Sequence, residues 1–151
     1  KKDQSDLIYF VEDDYLHYDH SLVDMLDTYE RISSQHKDEI IVCPSDYPFN
    51  YMTNEKTNIL IGSKQHWRII TKMLCTFMIS KKMFQKHINN FEKTCEKRHD
   101  PFEKYLNDIL QKEIAISPIK SLAIHLTNVN SSYGLSPFID YKKLWDANKV
   151  K

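Results

Sequence analysis

LIYFVEDDYLH, residues 7–17, is the stretch that decides the fold of this chain. Its first five residues are apolar and β-prone, without the polar alternation of a strand that faces water on one side. Such a run is typical of a strand buried on both faces, as in the parallel part of an α/β sheet. Three carboxylates follow at once, Glu12, Asp13 and Asp14. Because ligands bind beyond the carboxyl ends of strands in open α/β sheets, we predict a binding site there.

The chemistry expected of this acidic stretch is metal binding. Carboxylates held this close repel one another, and a divalent cation between them removes the repulsion. Hard oxygen ligands suit Mg²⁺ or Mn²⁺, and such an ion would hold a substrate that carries phosphate. The alternative is a solvated acidic turn that only ends the strand.

The remaining pattern predicts an α/β fold with a mixed central sheet and flanking helices. A helix follows the acidic stretch, capped by Asp19 or Ser21, ending near residues 32–34 and carrying an apolar stripe of Leu22, Val23, Met25, Leu26 and Tyr29. Further strands are expected over residues 39–43, 72–79, 114–116 and 121–126, with a hairpin of residues 58–61 and 65–70 around Gly62-Ser63. One helix is expected over residues 81–97, and a loop over residues 44–51.

Length and composition bound the classes of protein that need consideration. A chain of 151 residues predicts one domain, and 21 basic against 21 acidic residues, with no basic stripe, argue against a nucleic-acid partner. Two glycines are too few for a glycine-rich phosphate loop, and no run is long enough to span a bilayer. The three cysteines have no CxxC spacing, which indicates reduced thiols in a cytoplasmic protein rather than a zinc site.

A second chemical signal lies at the start of another predicted helix. Asp100 precedes Pro101, and Glu103 follows three residues after Asp100. This spacing is the signature of an N-cap, a proline at the first helical position and a capping box. A purely structural role therefore explains both carboxylates unless something else brings them to a site.

Four motifs, taken in order, resemble those of a known family. They are YFVEDDYLH (9–17), PSDYP (44–48), HWR (66–68) with Thr76-Phe77, and AIHL (123–126) with LSP (135–137). Together they resemble the GT-A class of nucleotide-sugar glycosyltransferases, in a bacterial or viral branch similar to family 2. The acidic stretch then corresponds to the DXD-type motif of that class. Only six residues precede the acidic strand, so residues 1–151 resemble the carboxyl-terminal part of such a domain, with an irregular tail over 127–151.

The resemblance implies a metal site at the acidic strand end. Asp14 is then a direct ligand of the metal, whereas Glu12 or Asp13 contacts the metal through water or binds the donor ribose. His125, on a later strand, is the second protein ligand. The alternative for His125 is a core imidazole bonded to a neighbouring strand.

The resemblance also implies roles in catalysis and in substrate binding. Asp100 is the expected general base, which would deprotonate the acceptor hydroxyl in an inverting reaction, and Glu103 is the alternative base. Trp67 and Arg68 are expected to line the donor or acceptor pocket, because aromatic faces stack on sugars and arginine pairs with phosphate. Asp46 is an acceptor-site candidate.

The sequence therefore predicts a metal-dependent glycosyltransferase that moves a sugar from a nucleotide-sugar donor to a glycan or other hydroxyl acceptor. Two other classes stay open: a metal-dependent phosphoryl-transfer or hydrolytic enzyme, and a noncatalytic carbohydrate-binding or interaction fragment. No membrane span is expected in this chain. A partial domain exposes apolar edge surface, which favours assembly into homo-oligomers.

Overall fold

The structure is a computed structural model of the chain and describes residues 7–52, 54, 56–96, 102–127 and 136–149. Within these residues, helices flank a mixed six-stranded sheet, and a separate two-stranded sheet lies beside it. The prediction of an α/β fold with a mixed central sheet is confirmed. None of the described helices is both long enough and apolar enough to cross a membrane.

Within the described residues, eight strands build the two sheets. They are β1 (Leu7–Phe10), β2 (Tyr15–His17), β3 (Ile41–Val42), β4 (Ile59–Ile61), β5 (His66–Ile70), β6 (Phe77–Ser80), β7 (Ala115–Pro118) and β8 (Ala123–His125). The large sheet has the order β1-β6-β3-β7-β5-β4, and β2 pairs with β8 in the small one. Within this described set, β3 and β7 are parallel and the other paired strands are antiparallel. The hairpin predicted around Gly62-Ser63 is confirmed as β4 and β5.

Five helices surround the sheets in the part of the chain that the structure describes. They are α1 (Ser21–His36), α2 (Lys81–Lys86), α3 (Ile88–Glu96), α4 (Lys104–Leu110) and α5 (Tyr141–Asn148), and a 3₁₀ turn covers Pro48–Tyr51. The single helix predicted over residues 81–97 is divided into α2 and α3 at His87. The side chain of His87 contacts Glu113, in the segment before β7, at 2.6 Å. This contact fixes His87, the residue at which the helix is interrupted.

The first strand is a correction to the sequence prediction. In the described residues β1 pairs with β6 alone, antiparallel, and lies at the edge of the large sheet. Each of its four residues is half-buried, not fully buried. The sequence of a short apolar run does not show whether the strand is central or at the edge of a sheet. That position depends on the strand's partners, and the partner of β1 lies about 70 residues along the chain.

The position of the acidic stretch at a shared sheet edge holds despite that correction. β1 and β3 both run antiparallel to β6, so β1, β3 and β7 point the same way. Their carboxyl ends therefore lie along one edge of the large sheet. The small sheet lies at this edge as well, since the backbone N–H groups of Leu122 and Ala123 donate to the Pro44 carbonyl that follows β3.

The large sheet has a hydrophobic core on each face. Along β6, Phe77 and Ile79 belong to the cluster with α2 and α4, and Met78 belongs to the cluster with α1. This alternation follows from the two-residue period of a strand. The sheet is therefore a middle layer between α1 and the α2–α4 helices.

The buried face of α1 differs from the predicted apolar stripe. Leu22, Val23 and Leu26 are 50%, 52% and 38% exposed. The buried residues are instead Ser21, Asp24, Met25, Thr28 and Ile32. Their spacing is helical, but two of the central positions are polar. Apolar periodicity alone predicts the wrong buried face for α1. The residues that contact the buried Asp24 are brought to it only by folding.

Candidate functional site

The three predicted acids occupy the connection from β1 to β2. Glu12 follows β1, and its backbone N–H donates to Thr76 Oγ1 at 3.0 Å, just before β6 begins. Asp13 is exposed in the turn. The Asp14 carbonyl accepts from the backbone N–H of Leu126 at 2.9 Å, which extends the β2–β8 pairing beyond the strands. The acids are thus held at the carboxyl edge of the sheet by two distant segments.

Asp14 and His125 come together in space. Tyr15 and His125 are register partners, and His125 Nε2 lies 2.7 Å from Asp14 Oδ2. The imidazole stacks on the Tyr15 ring with centroids 4.9 Å apart. Its other nitrogen, Nδ1, lies 2.8 Å from Thr127 Oγ1. Both ring nitrogens and one ring face are therefore engaged, which orients the imidazole toward the Asp14 carboxylate.

Glu12 carries an unsatisfied carboxylate beside this pair. Its Oε2 is buried and has no hydrogen-bond partner among the described residues. Burial raises the pKa of Glu12, His125 acts against that shift, the Asp14 and Glu103 carboxylates add to it, and a hydrogen bond from the Cys75 backbone opposes it. A partly buried carboxylate with like charges around it gains from a proton or a cation.

Glu103 lies close enough to Glu12 for its charge to act on that carboxylate. The helix α4 begins at Lys104, so Glu103 is itself the residue before the first turn, and its side chain makes no capping hydrogen bond. The predicted helix start at Pro101 is thus replaced by a start three residues later. Burial, followed by the Glu12 and Glu103 carboxylates, raises the pKa of the Cys75 thiol to about 12. Asp100, the predicted base, lies outside the described residues.

Asp46 and Arg68 form a second polar group along the same edge. Asp46 is buried, Arg68 Nη2 lies 3.6 Å from Asp46 Oδ1, and the Tyr51 hydroxyl donates to Asp46 Oδ2 at 2.5 Å. Arg68 Nη2 also donates to the Tyr51 hydroxyl at 2.6 Å. Burial raises the pKa of the Asp46 carboxyl, although Tyr51 and Arg68 act against the shift. Tyr51 was not predicted as a site residue, since its position in the same loop, five residues after Asp46, is its only signal in the sequence.

Two threonine side chains also support these groups. Thr127 contacts His125, and Thr76 accepts the Glu12 amide. Thr76 belongs to the quoted motifs and Thr127 directly follows the AIHL motif, but the sequence assigned no role to either threonine. Only the fold shows that they touch the site.

Trp67 belongs to the core and not to a ligand surface. It is fully buried in the α1-side cluster, so the indole has no free face on which a sugar could stack. Gly62 packs so closely on it that an added Cβ would lie 2.4 Å from Trp67 Nε1. The expected role of Trp67 in lining a pocket is therefore replaced by a packing role. Its neighbour Arg68 keeps part of its side chain exposed.

Comparisons with protein-family models, curated proteins and solved structures gave no match to this chain. The resemblance to glycosyltransferases therefore rests on the motifs described above.

The side chains at this edge could supply part of a metal site. No group of three or more metal-ligating side chains is present in the part of the chain that the structure describes. Mg²⁺ and similar ions are often bound by one or two carboxylates together with substrate phosphates, rather than by a complete protein cage. A carboxylate and an imidazole in contact, with the free oxygen of Glu12 nearby, fit that kind of site.

Proposed function

We propose that this chain is part of a metal-dependent glycosyltransferase of the GT-A type, which transfers a sugar from a nucleotide-sugar donor to an acceptor hydroxyl with inversion. The observation that carries the proposal is the 2.7 Å contact between Asp14 and His125 at the carboxyl edge of the sheet. The motif resemblance implies metal binding by these same two residues. A solvated acidic turn would not require a histidine from a distant strand.

Asp14 and His125 are the residues that would hold Mn²⁺ or Mg²⁺, with Glu12 beside them. Carboxylate suits both ions, and the imidazole favours Mn²⁺. When bound, the ion neutralises charge that develops on the departing nucleotide diphosphate. Thr127 keeps the imidazole in place, as partners of metal-bound histidines commonly do.

The reaction also needs a base on the acceptor side. The acceptor oxygen forms a bond to the anomeric carbon while the bond from that carbon to the diphosphate oxygen breaks, and the base takes the hydroxyl proton. We assign this role to Asp100, with Glu103 as the alternative. Glu103 is supported by its position near Glu12 and by its lack of a capping hydrogen bond.

Arg68 and Asp46 are proposed to bind substrate at the same edge. The guanidinium of Arg68 can pair with a phosphate, and Asp46 together with Tyr51 holds it in one position. A cytoplasmic location, expected from the cysteines, stays a prediction.

The test is binding of Mn²⁺ with UDP-glucose, UDP-galactose, UDP-N-acetylglucosamine and GDP-mannose, measured by calorimetry. We expect at least one nucleotide sugar to bind only with Mn²⁺, and Asp14→Ala to abolish that binding. Thr127→Val should weaken Mn²⁺ binding by about 10- to 100-fold. Glu30→Gln, an exposed carboxylate change on α1, is the matched control.

The other two classes make different predictions in the same assay. Binding of free glycans with no nucleotide-sugar binding would favour a carbohydrate-binding module and refute the transferase. Hydrolysis of a phosphate ester, sensitive to Asp14→Ala but independent of any sugar acceptor, would favour the phosphoryl-transfer class.

A further inference from the structure

A second cavity, of about 200 Å³, lies at the amino end of α1. The side chains that matter in its lining are those of Tyr18, His20, Asp24, Lys64, Gln65 and Lys120. Pockets for drug-sized ligands measure about 300–1,000 Å³, so this one has room for a single small ring. Neither the motifs nor the metal site involves it.

Asp24 supplies the unsatisfied group in this cavity. It is only 2% exposed, and its Oδ2 accepts from Gln65 Nε2 at 3.2 Å. Its Oδ1 has no hydrogen-bond partner within the described residues. A buried carboxylate oxygen is costly to leave unpaired. The terminal torsion of aspartate is soft, so Oδ1 can turn to meet a donor in the cavity.

Gln65 is held as a rigid polar neighbour of Asp24. Its Oε1 accepts the backbone N–H of Lys120 at 3.0 Å, while its Nε2 faces Asp24. Both ends of the amide are therefore fixed before any ligand arrives. Lys64 pairs with Asp27 at 3.5 Å and borders the cavity from the outside.

An aromatic wall completes the cavity. The rings of Tyr18 and His20 lie 5.7 Å apart at an angle of 32°. Burial raises the pKa of the Tyr18 hydroxyl overall, although the nearby backbone of Asp140 lowers it. Aromatic faces next to fixed polar groups suit a ring that has one apolar face and hydroxyls at its rim.

The charges around the cavity exclude two simpler ligands. Lys64 and Lys120 disfavour a metal cation, and the buried Asp24 carboxylate disfavours phosphate or another anion. A neutral hydroxyl donates to Asp24 and accepts from a lysine without a net charge to desolvate. The chemistry therefore favours a neutral polyhydroxylated ligand.

We infer that this cavity binds one neutral sugar ring of the acceptor, next to the site at which transfer occurs. Ser121 connects the two places: it borders this cavity and also the pocket of Asp46 and His125. Its Oγ accepts the backbone N–H of Asp46 at 2.9 Å and donates to the Ala123 carbonyl at 2.7 Å. The inference rests on the proposed function for the identity of the ligand as an acceptor, but sugar binding can be measured separately.

The test is an NMR titration of the ¹⁵N-labelled chain with the methyl glycosides of glucose, galactose, mannose and N-acetylglucosamine. We expect at least one of them to shift the Gln65 side-chain amide and the Lys120 backbone amide saturably, without Mn²⁺ or nucleotide. Asp24→Asn should weaken that binding about tenfold, the loss expected for one hydrogen bond to a charged group. Glu30→Gln should leave it unchanged, since this exposed residue of α1 does not border the cavity.

His20→Ala provides a second variant in case Asp24→Asn does not fold. His20 is exposed and makes no capping hydrogen bond to α1, so its loss leaves the fold intact, yet it should weaken glycoside binding about threefold. If none of the four glycosides shifts Gln65 and Lys120, or if both variants bind as tightly as the parent, the inference is overturned. Nucleotide-sugar binding that survives such a result would leave the proposed function standing. Glycoside binding without any nucleotide-sugar binding would support the cavity and refute the transferase.

Discussion

Replacing Glu12 by glutamine is expected to stabilise the folded protein in the absence of metal. The carboxylate has a buried oxygen without a partner in the described structure, and the charges of Asp14 and Glu103 lie near it. Glutamine has nearly the same shape, carries no charge and can donate its amide hydrogens to those carboxylates. Stabilising replacements commonly contribute about 0.5–2 kcal/mol. A gain of about 1 kcal/mol corresponds to about 2–4 °C in Tm for a domain slightly above 150 residues.

The pH dependence of this gain has a definite sign. Burial raises the pKa of Glu12 in the folded protein above its unfolded value of about 4.3. Above the folded pKa the wild-type side chain is ionised in both states, and the full cost of its buried charge is present. As the pH falls toward about 4.3, the folded protein binds a proton first and the cost disappears. The advantage of Glu12→Gln should therefore be largest at pH 7 and fade toward pH 4.

The assay is urea unfolding in metal-free buffer at several pH values, followed by tryptophan fluorescence, to which the buried Trp67 and the exposed Trp145 both contribute. Glu30→Gln is the control, because the same chemical change at an exposed position should stay within about 0.5 kcal/mol. Mn²⁺ with a bound nucleotide sugar should then stabilise the wild type more than Glu12→Gln, since a ligand that binds only the folded state adds stability. Equal or lower stability of Glu12→Gln at pH 7 would refute the reasoning, because it would mean that His125 already compensates the Glu12 charge.

Two further predictions concern the fold. Gly62→Ala should lower the free energy of unfolding by about 1–3 kcal/mol, because the new Cβ would lie 2.4 Å from the buried Trp67 indole; an unchanged urea midpoint would contradict this. Glu113→Gln should destabilise the protein at neutral pH: burial raises the pKa of Glu113, but hydrogen bonds from Lys86 and His87 lower it further than burial raises it. The stability that Glu113 adds is present above its unfolded pKa of about 4.3 and lost as the pH falls through the lowered folded value. The difference between wild type and variant in urea midpoint should thus shrink from pH 7 to pH 3, and a constant difference would count against the ion-pair explanation.

Local sequence patterns were sufficient for the elements themselves. The hairpin of β4 and β5 follows from two β-prone runs around Gly62-Ser63, and it forms with the expected pairing. The position of the acids at a strand end follows from the abrupt change from Phe10 to Glu12. These features depend on residues within a few positions of one another, so the sequence carries them directly.

Long-range contacts decided what the patterns could not. β1 lies at the sheet edge because its partner, β6, is distant in the sequence. Asp24 is buried on α1 while Leu22 is exposed, because Gln65 offers Asp24 a hydrogen bond from the β4–β5 hairpin. The N-cap signal at Asp100 did not predict the correct first residue of α4, because a capping pattern gives a local preference for a helix start and says nothing of the surrounding packing.

By itself, the sequence determined an α/β domain with an acidic strand end and a histidine on a later strand. Only the tertiary structure decided that Asp14 and His125 touch, that Glu103 approaches Glu12, and that Trp67 lies in the core rather than at a pocket. The physical reason is the range of the interactions involved. Hydrophobic periodicity and turn preferences depend on residues that are close in the sequence. A site is assembled from strand ends that come together only after the sheet has formed.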